Sequence, residues 1–235
     1  MNNLALFRTP SESIAYLRGA FFSGVSCVAN FARNRKTLSM YPTKHKEWAG
    51  TRFQLRPFAA GVTTEHLHLY GCLARRSGAI QIEYQMKGAL DRICWQSISQ
   101  AKERCHELWR HTCFELFFGI KGDSTYWEVN LSPSGCWNVY YFTDYRTGMR
   151  EERAVGQPVC HVVRDGDFLS LICILDFNGL IDDCFDLEVG ISSVLQTVAG
   201  TTSYWALDHH GREPDFHNRK GFSVVLPGAE EFNHE

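Results

Sequence analysis

The chain has 235 residues, 44% of them hydrophobic and 21% charged, which is the composition of a globular protein and excludes a disordered one. A formal net charge of −2 leaves no electrostatic footprint for nucleic acid, and the basic cluster Arg33, Arg35 and Lys36 is short enough to be a solvated turn. The aromatic share is 13%, and such side chains favour strands and also make stacking platforms.

The N-terminal region comes first. Residues 19–29 form a weakly apolar run between Arg18 and Arg33 that has the outline of a signal-peptide core. Glu12 precedes it and Gly24 interrupts it, and it is too short to span a bilayer. Nothing later reads as a transmembrane segment. Residues 1–50 are therefore taken as an N-terminal extension, and residues 51–235 as a single domain.

Nine cysteines occur, at 27, 72, 94, 105, 113, 136, 160, 173 and 184, with no CxxC spacing. Neither covalent haem attachment nor a thioredoxin-like site is indicated. Cys113 and Cys173 lie in strand-like apolar runs, where a reduced cysteine acts as a small hydrophobe. The expectation is reduced thiols and a cytoplasmic setting, with export as the alternative if residues 1–30 act as a signal.

After Gly50 short apolar alternations begin, separated by turn residues. Residues 67–71 and 80–85 alternate apolar and polar. Phe114, Leu116, Phe118 and Ile120 make one strongly apolar face. Residues 126–131 and 137–142 are joined by Ser132-Pro133-Ser134-Gly135, in which Pro sets φ and Gly permits a positive φ, so the pair reads as a hairpin. Asp165-Gly166-Asp167 between 159–164 and 168–176 is a second hairpin signal. Residues 185–194, 204–207 and 222–226 complete about ten strands. Residues 98–108 read as a single short helix or a loop. The fold class predicted is all-β, an antiparallel sandwich of jelly-roll type with one or two short helices.

Three stretches carry polar groups among aromatics. In residues 108–119, Phe114, Leu116 and Phe118 must face the core, so Glu115 points to the other side, where it meets solvent or a ligand. Trp109 stands six residues earlier. In one straight strand it would lie about 20 Å from Glu115, so the two share a site only if Trp109 folds back from a loop. Residues 203–219 pack aromatics, Asp, His and Arg into a turn-rich segment, and residues 137–148 do the same. A sugar needs this mixture, with rings against its C–H faces and Asp, Glu, Asn or Arg on its hydroxyls.

The runs LWRHTCFELFF (108–118), YWEVNLSPSGCWNVYYFTDYRTGMR (126–150) and YWALDHHGREPDFHNRKGF (204–222) together resemble bacterial DOMON-like proteins, relatives of the family 9 carbohydrate-binding modules. The resemblance covers residues 52 to 226 and implies a jelly-roll-like sandwich with a ligand pocket on one side. In the family 9 modules two tryptophans enclose a terminal sugar. By that resemblance Trp109 is the first wall, Glu115 the strand carboxylate and Trp205 the second wall. The modules often carry Asp where His111 or Thr112 stands here. The candidate ligand-binding set is Trp109, Glu115, Trp137, Tyr140, Arg146, Tyr204, Trp205, Asp208 and His209.

The expected role is non-catalytic binding of a small molecule, a sugar, with no cofactor, no nucleic acid and no membrane span. GxSxG, HExxH, P-loop and GxGxxG motifs are absent, and Glu115 has no assignable carboxylate partner. Three other readings compete. One is a haem-binding domain of the DOMON type, drawing on Met86 or Met149 with His161, His209 or His217. Another is a metal-assisted enzyme built on Asp208, His209, His210, Asp215 and His217. The third is a protein-interaction domain.

Overall fold

The computed structural model describes residues 50–61, 64–97 and 102–229. All of them belong to one unit, Ala49–Glu235. The readings of residues 1–49, a signal-like run and an extension, lie outside the described residues.

Twelve strands follow in chain order: β1 Thr51–Pro57, β2 Leu67–Arg76, β3 Ala79–Gly88, β4 Cys113–Ile120, β5 Tyr126–Leu131, β6 Trp137–Phe142, β7 Arg150–Glu151, β8 Val159–Asp165, β9 Phe168–Asp176, β10 Leu187–Gln196, β11 Thr202–Ala206 and β12 Val224–Leu226. All strand pairs are antiparallel. They run in the order β7-β6-β5-β4-β10-β11-β1-β2-β3-β9-β8, with β12 beside β10. β1 is the corner. Its residues 51–55 pair with β2, whereas Arg56 and Pro57 pair with β11. The strands thereby divide into a first sheet (β1-β2-β3-β9-β8) and a second sheet (β7-β6-β5-β4-β10-β11, with β12), which form an antiparallel β-sandwich.

One apolar cluster fills the space between the sheets. Leu69, Leu73, Ile82, Tyr84, Met86, Leu171 and Leu175 come from the first, and Phe114, Leu116, Phe118, Val129, Val139, Val189 and Ile191 from the second. Tyr84 ties the layers together. Its ring lies 4.9 Å from that of Phe114, and its hydroxyl donates to the Glu115 carbonyl at 2.6 Å. A buried hydroxyl on a core face must find such an acceptor.

Both predicted hairpins form. Leu131 pairs with Trp137 across the Ser-Pro-Ser-Gly turn, with Gly135 at φ +99. Asp165 pairs with Phe168 across Gly166-Asp167, with Gly166 at φ +57. Two strands exceed the expected set. β1 carries only Phe53 and Leu55 as its inward alternation, and β7 is two residues long. Among the described residues the only helical turns are of 3-10 type, Leu90–Arg92, Leu108–Arg110 and Arg219–Gly221. The described part of 98–108 is otherwise loop.

The expectation of reduced thiols is corrected at one pair. Cys160 and Cys173 are disulfide-bonded. They stand directly opposite each other on β8 and β9, where antiparallel pairing brings the two side chains to one side of the sheet. The bond fastens the exposed edge strand β8, whose Val159, Val162 and Val163 are open to solvent. Cross-linking a loop of separation 13 stabilises by about 2–3 kcal/mol through the unfolded state. We predict that Cys173→Ser lowers the unfolding free energy by about 2 kcal/mol in urea titration. An unchanged midpoint under non-reducing conditions would show that the bond adds nothing.

Candidate functional site

The second sheet has two buried faces. Every residue of β4 from Cys113 to Gly119 is buried, as is every residue of β5. One side joins the core. The other carries two rows of side chains fixed by register. In the first row Ser192, Glu115, Asn130 and Asn138 stand side by side across β10, β4, β5 and β6. In the second row Gly190, Phe117, Glu128 and Tyr140 do the same, ending at Glu151 on β7.

Three segments cover this face. The first is the 3-10 turn Leu108–Arg110, entered through Glu107 in a left-handed conformation at φ +58. It folds Trp109 back onto the sheet, where its ring meets Tyr140 edge-on at 5.6 Å. The second is the β6–β7 connection, with Arg146 at φ +51. The third is the stretch 207–222, whose Phe216, His217 and Phe222 pack on Phe117, Tyr126, Tyr140 and Phe142. Two glycines admit this third segment. A Cβ on Gly190 would lie 2.9 Å from the Phe222 ring, and one on Gly119 would collide with the Arg219 guanidinium and the Thr125 carbonyl. Arg219 crosses there to reach Glu188 at 2.7 Å.

Polar groups hold the cover in place. Asp215 accepts from Tyr145 Oη at 2.9 Å and from Arg146 Nη2 at 3.0 Å, which joins the second and third segments. The Arg146 backbone N–H donates to the Tyr126 hydroxyl at 3.1 Å, and that hydroxyl lies 2.8 Å from His217 Nδ1. One of the two donates to the other, according to which nitrogen of the neutral ring carries the proton. Burial first, and the Arg146 charge second, push His217 down to about 4. Its 3.8 Å approach to Glu128 is then a contact between a neutral imidazole and a carboxyl, and no ion pair.

Two carboxyls lie beneath. Glu115 is pushed up to about 8, by burial first and by Glu128 second, with Ser192 partly opposing at 3.1 Å. Glu128 is pushed up to about 7 by burial, against a hydrogen bond from Asn130 Nδ2 at 2.7 Å and the Arg146 charge. The pair shares at least one proton at pH 7, because two charges cannot both persist in so dry a place. Glu115 Oε1 has no hydrogen-bond partner among the described residues.

The structure thus brings Trp109, Glu115, Tyr140 and Arg146 to one face, with Tyr204 at its margin 6.2 Å from Phe216. Other members of the expected set go elsewhere. Trp205 opposes Ser193, which shares the side of Phe114, so its ring is 2% exposed in the core and donates to Ser203 Oγ. It cannot be a second wall facing Trp109. Trp137 is likewise a core residue, covered by the Arg104 guanidinium at 4.2 Å. Asp208 is exposed, and His209 donates to the Arg56 carbonyl at 2.9 Å beside the Phe58 ring.

That division also corrects the metal-assisted reading of 208–217. His209 faces β1 while His217 faces Tyr126 and Glu128, and among the described residues no three His, Cys, Asp or Glu converge on a metal position. For the haem reading, Met86 lies on the core face and His161 on the outer side of the same sheet. Glu128 was legible by the argument that singled out Glu115, since it alternates with the core residues Trp127 and Val129. A shallow hollow lined by Arg75, Gly78, Phe177, Ile181 and Asp183 shares no residue with this face.

Fold and site together define a β-sandwich in which one sheet carries a second, roofed face. The chain is similar in structure to a protein of Bacteroides uniformis ATCC 8492 assigned as carbohydrate-binding, with TM-score 0.50 and 14% identity over 74% of this chain and 85% of that one. It was also matched to family 9 carbohydrate-binding modules of Caldicellulosiruptor kristjanssonii. The cellotriose complex gives TM-score 0.47 and 10% identity over 77% of this chain and 85% of that one. The glucose complex gives 0.45 and 8% over 79% and 88%. At these identities the likeness is one of fold. No family model matches the sequence, and no curated protein matches it.

The carboxyl pair has a sign that can be tested. In the unfolded chain a Glu titrates near 4.3. The folded state therefore holds extra protons between about pH 4.5 and 8, and stability falls as pH rises through that window. His217 works the other way, losing stability as pH falls from about 6.5 towards 4. We predict that Glu115→Gln gains roughly 2–4 kcal/mol relative to the wild type on going from pH 5 to pH 9, at about 1.4 kcal/mol per unit. Urea unfolding at the two pH values measures it. An equal difference at both would mean that Glu115 is not held protonated.

Proposed function

We propose that this protein is a non-catalytic carbohydrate-binding domain that takes its ligand at the roofed face of the second sheet. The observation that carries the reading is that the Trp109–Tyr140 ring pair shares a sheet face with a buried carboxyl, Glu115, whose Oε1 has no partner among the described residues. A half-buried indole offers a flat apolar surface to the C–H face of a pyranose. Glu115, Glu128, Asn130 and Asn138 beneath it, and Arg146 with Asp215 at the rim, offer acceptors and donors to hydroxyls. With Trp205 in the core, Phe216 becomes the second aromatic contact, since it too packs half-buried on the same cluster. The structural likeness to a protein assigned as carbohydrate-binding supports the same reading at the level of fold.

Wild-type protein is expected to bind a mono- or oligosaccharide from a glycan screen, read by calorimetry. Trp109→Ala is expected to lose at least about tenfold in affinity while its circular dichroism is unchanged, because a stacked ring contributes on the order of 1–2 kcal/mol or more. Trp205→Phe, a change in the core, is expected to leave affinity within about twofold. If wild-type protein binds no sugar at millimolar concentration, the proposal is wrong.

A further inference from the structure

Cys105 and Cys136 are both free and half-buried, and their sulfurs lie 2.6 Å apart. They are separated by 31 positions in the chain. Both backbones are fixed before any bond forms. The Cys105 N–H donates to the Trp137 carbonyl, and the Trp137 N–H returns to the Glu103 carbonyl. Asn138 Nδ2 donates to the Cys105 carbonyl at 3.2 Å. Arg104 reaches Asn138 Oδ1 and the carbonyls of Glu152 and Val155. On the other side Cys136 closes the β5–β6 turn, where its carbonyl accepts from Ser132 and Gly135 holds φ +99. Neither thiol needs its backbone to move in order to meet the other.

We propose that Cys105 and Cys136 are a thiol pair that closes to a disulfide by exchange with a small disulfide such as oxidised glutathione, and that the bond staples the segment leading to Trp109 onto the β5–β6 turn. Trp109 stands four positions beyond Cys105, on a turn whose described backbone-to-backbone bonds are its own: Arg110 to Glu107 and His111 to Leu108. Upstream of that turn the segment is anchored at 103–105, which is where the staple acts, and by the contacts of His106 and the Glu107 backbone with the Tyr140 hydroxyl. The chemistry balances without another reactant. One cysteine thiolate displaces a glutathione thiolate, and the second cysteine then displaces the other glutathione from the mixed disulfide. Two cysteine sulfurs are oxidised, one oxidised glutathione is reduced to two thiols, and the two protons end on those thiols. Burial and the neighbouring Cys136 push the Cys105 thiol up to about 12, so closure is slow near neutrality and faster at higher pH.

The test uses the full chain, incubated at pH 8.5 with oxidised glutathione, alkylated and digested without reduction. A Cys105–Cys136 cross-linked peptide, lighter by two hydrogens than the sum of its thiol forms, is expected. In the oxidised protein the amides of 106–111 should exchange at least about fivefold more slowly, and the unfolding midpoint should rise by roughly 5 °C. Cys136→Ala and Cys105→Ser should each abolish all three effects. Recovery of both cysteines alkylated, or each carrying its own glutathione, overturns the pair. A cross-link without slower exchange at 106–111 overturns the staple. None of these readouts depends on whether the face binds sugar.

Discussion

A strand that is dry on both faces governs this molecule. β4 is buried along almost its whole length. One side is accounted for by the sandwich core. The other needs a cover, because Phe117 beside Tyr126, Tyr140 and Phe142 would otherwise expose a contiguous apolar patch. The turn carrying Trp109, the loop carrying Arg146 and the 207–222 segment all converge there. Gly119 and Gly190 allow the last of these to approach the sheet closely, and Arg219 anchors it to Glu188. The candidate site is therefore a consequence of how the second sheet hides its outer face.

The same dryness sets the electrostatics. A carboxylate in such a place is unfavourable unless it is paired, and Glu115 and Glu128 have no cation in direct contact. Both are shifted towards the protonated form, and His217 above them gives its proton up. The face consequently carries little charge at neutral pH. That is the chemistry that suits hydroxyl groups better than ions. Arg146 and Asp215 neutralise each other at the rim, which keeps strong charge away from the interior.

Much of this architecture is legible from residue spacing. The Ser-Pro-Ser-Gly and Asp-Gly turns announce two hairpins, and both form. The period of two in 114–120 separates Glu115 from the core, and the same period in 126–131 would have placed Glu128 beside Asn130. β1 was harder to read because it has only two inward apolar residues and changes partner halfway. The left-handed residue Glu107 turns Trp109 back towards the sheet, and no residue-type preference signals that at a glutamate.

The sequence by itself determined all the strands but β1 and β7, two of the hairpin turns and which residues of a strand share a side, since these follow from alternation and from glycine and proline chemistry. Only the tertiary structure decided which side of the second sheet each aromatic joins. Trp205 and Trp137 went to the core and Trp109 to the roofed face. It also decided which cysteines meet across strands. A tryptophan satisfies either environment equally well, so its identity carries no direction. That direction comes from strand register and from the path of the loops, which are set by partners distant in the chain.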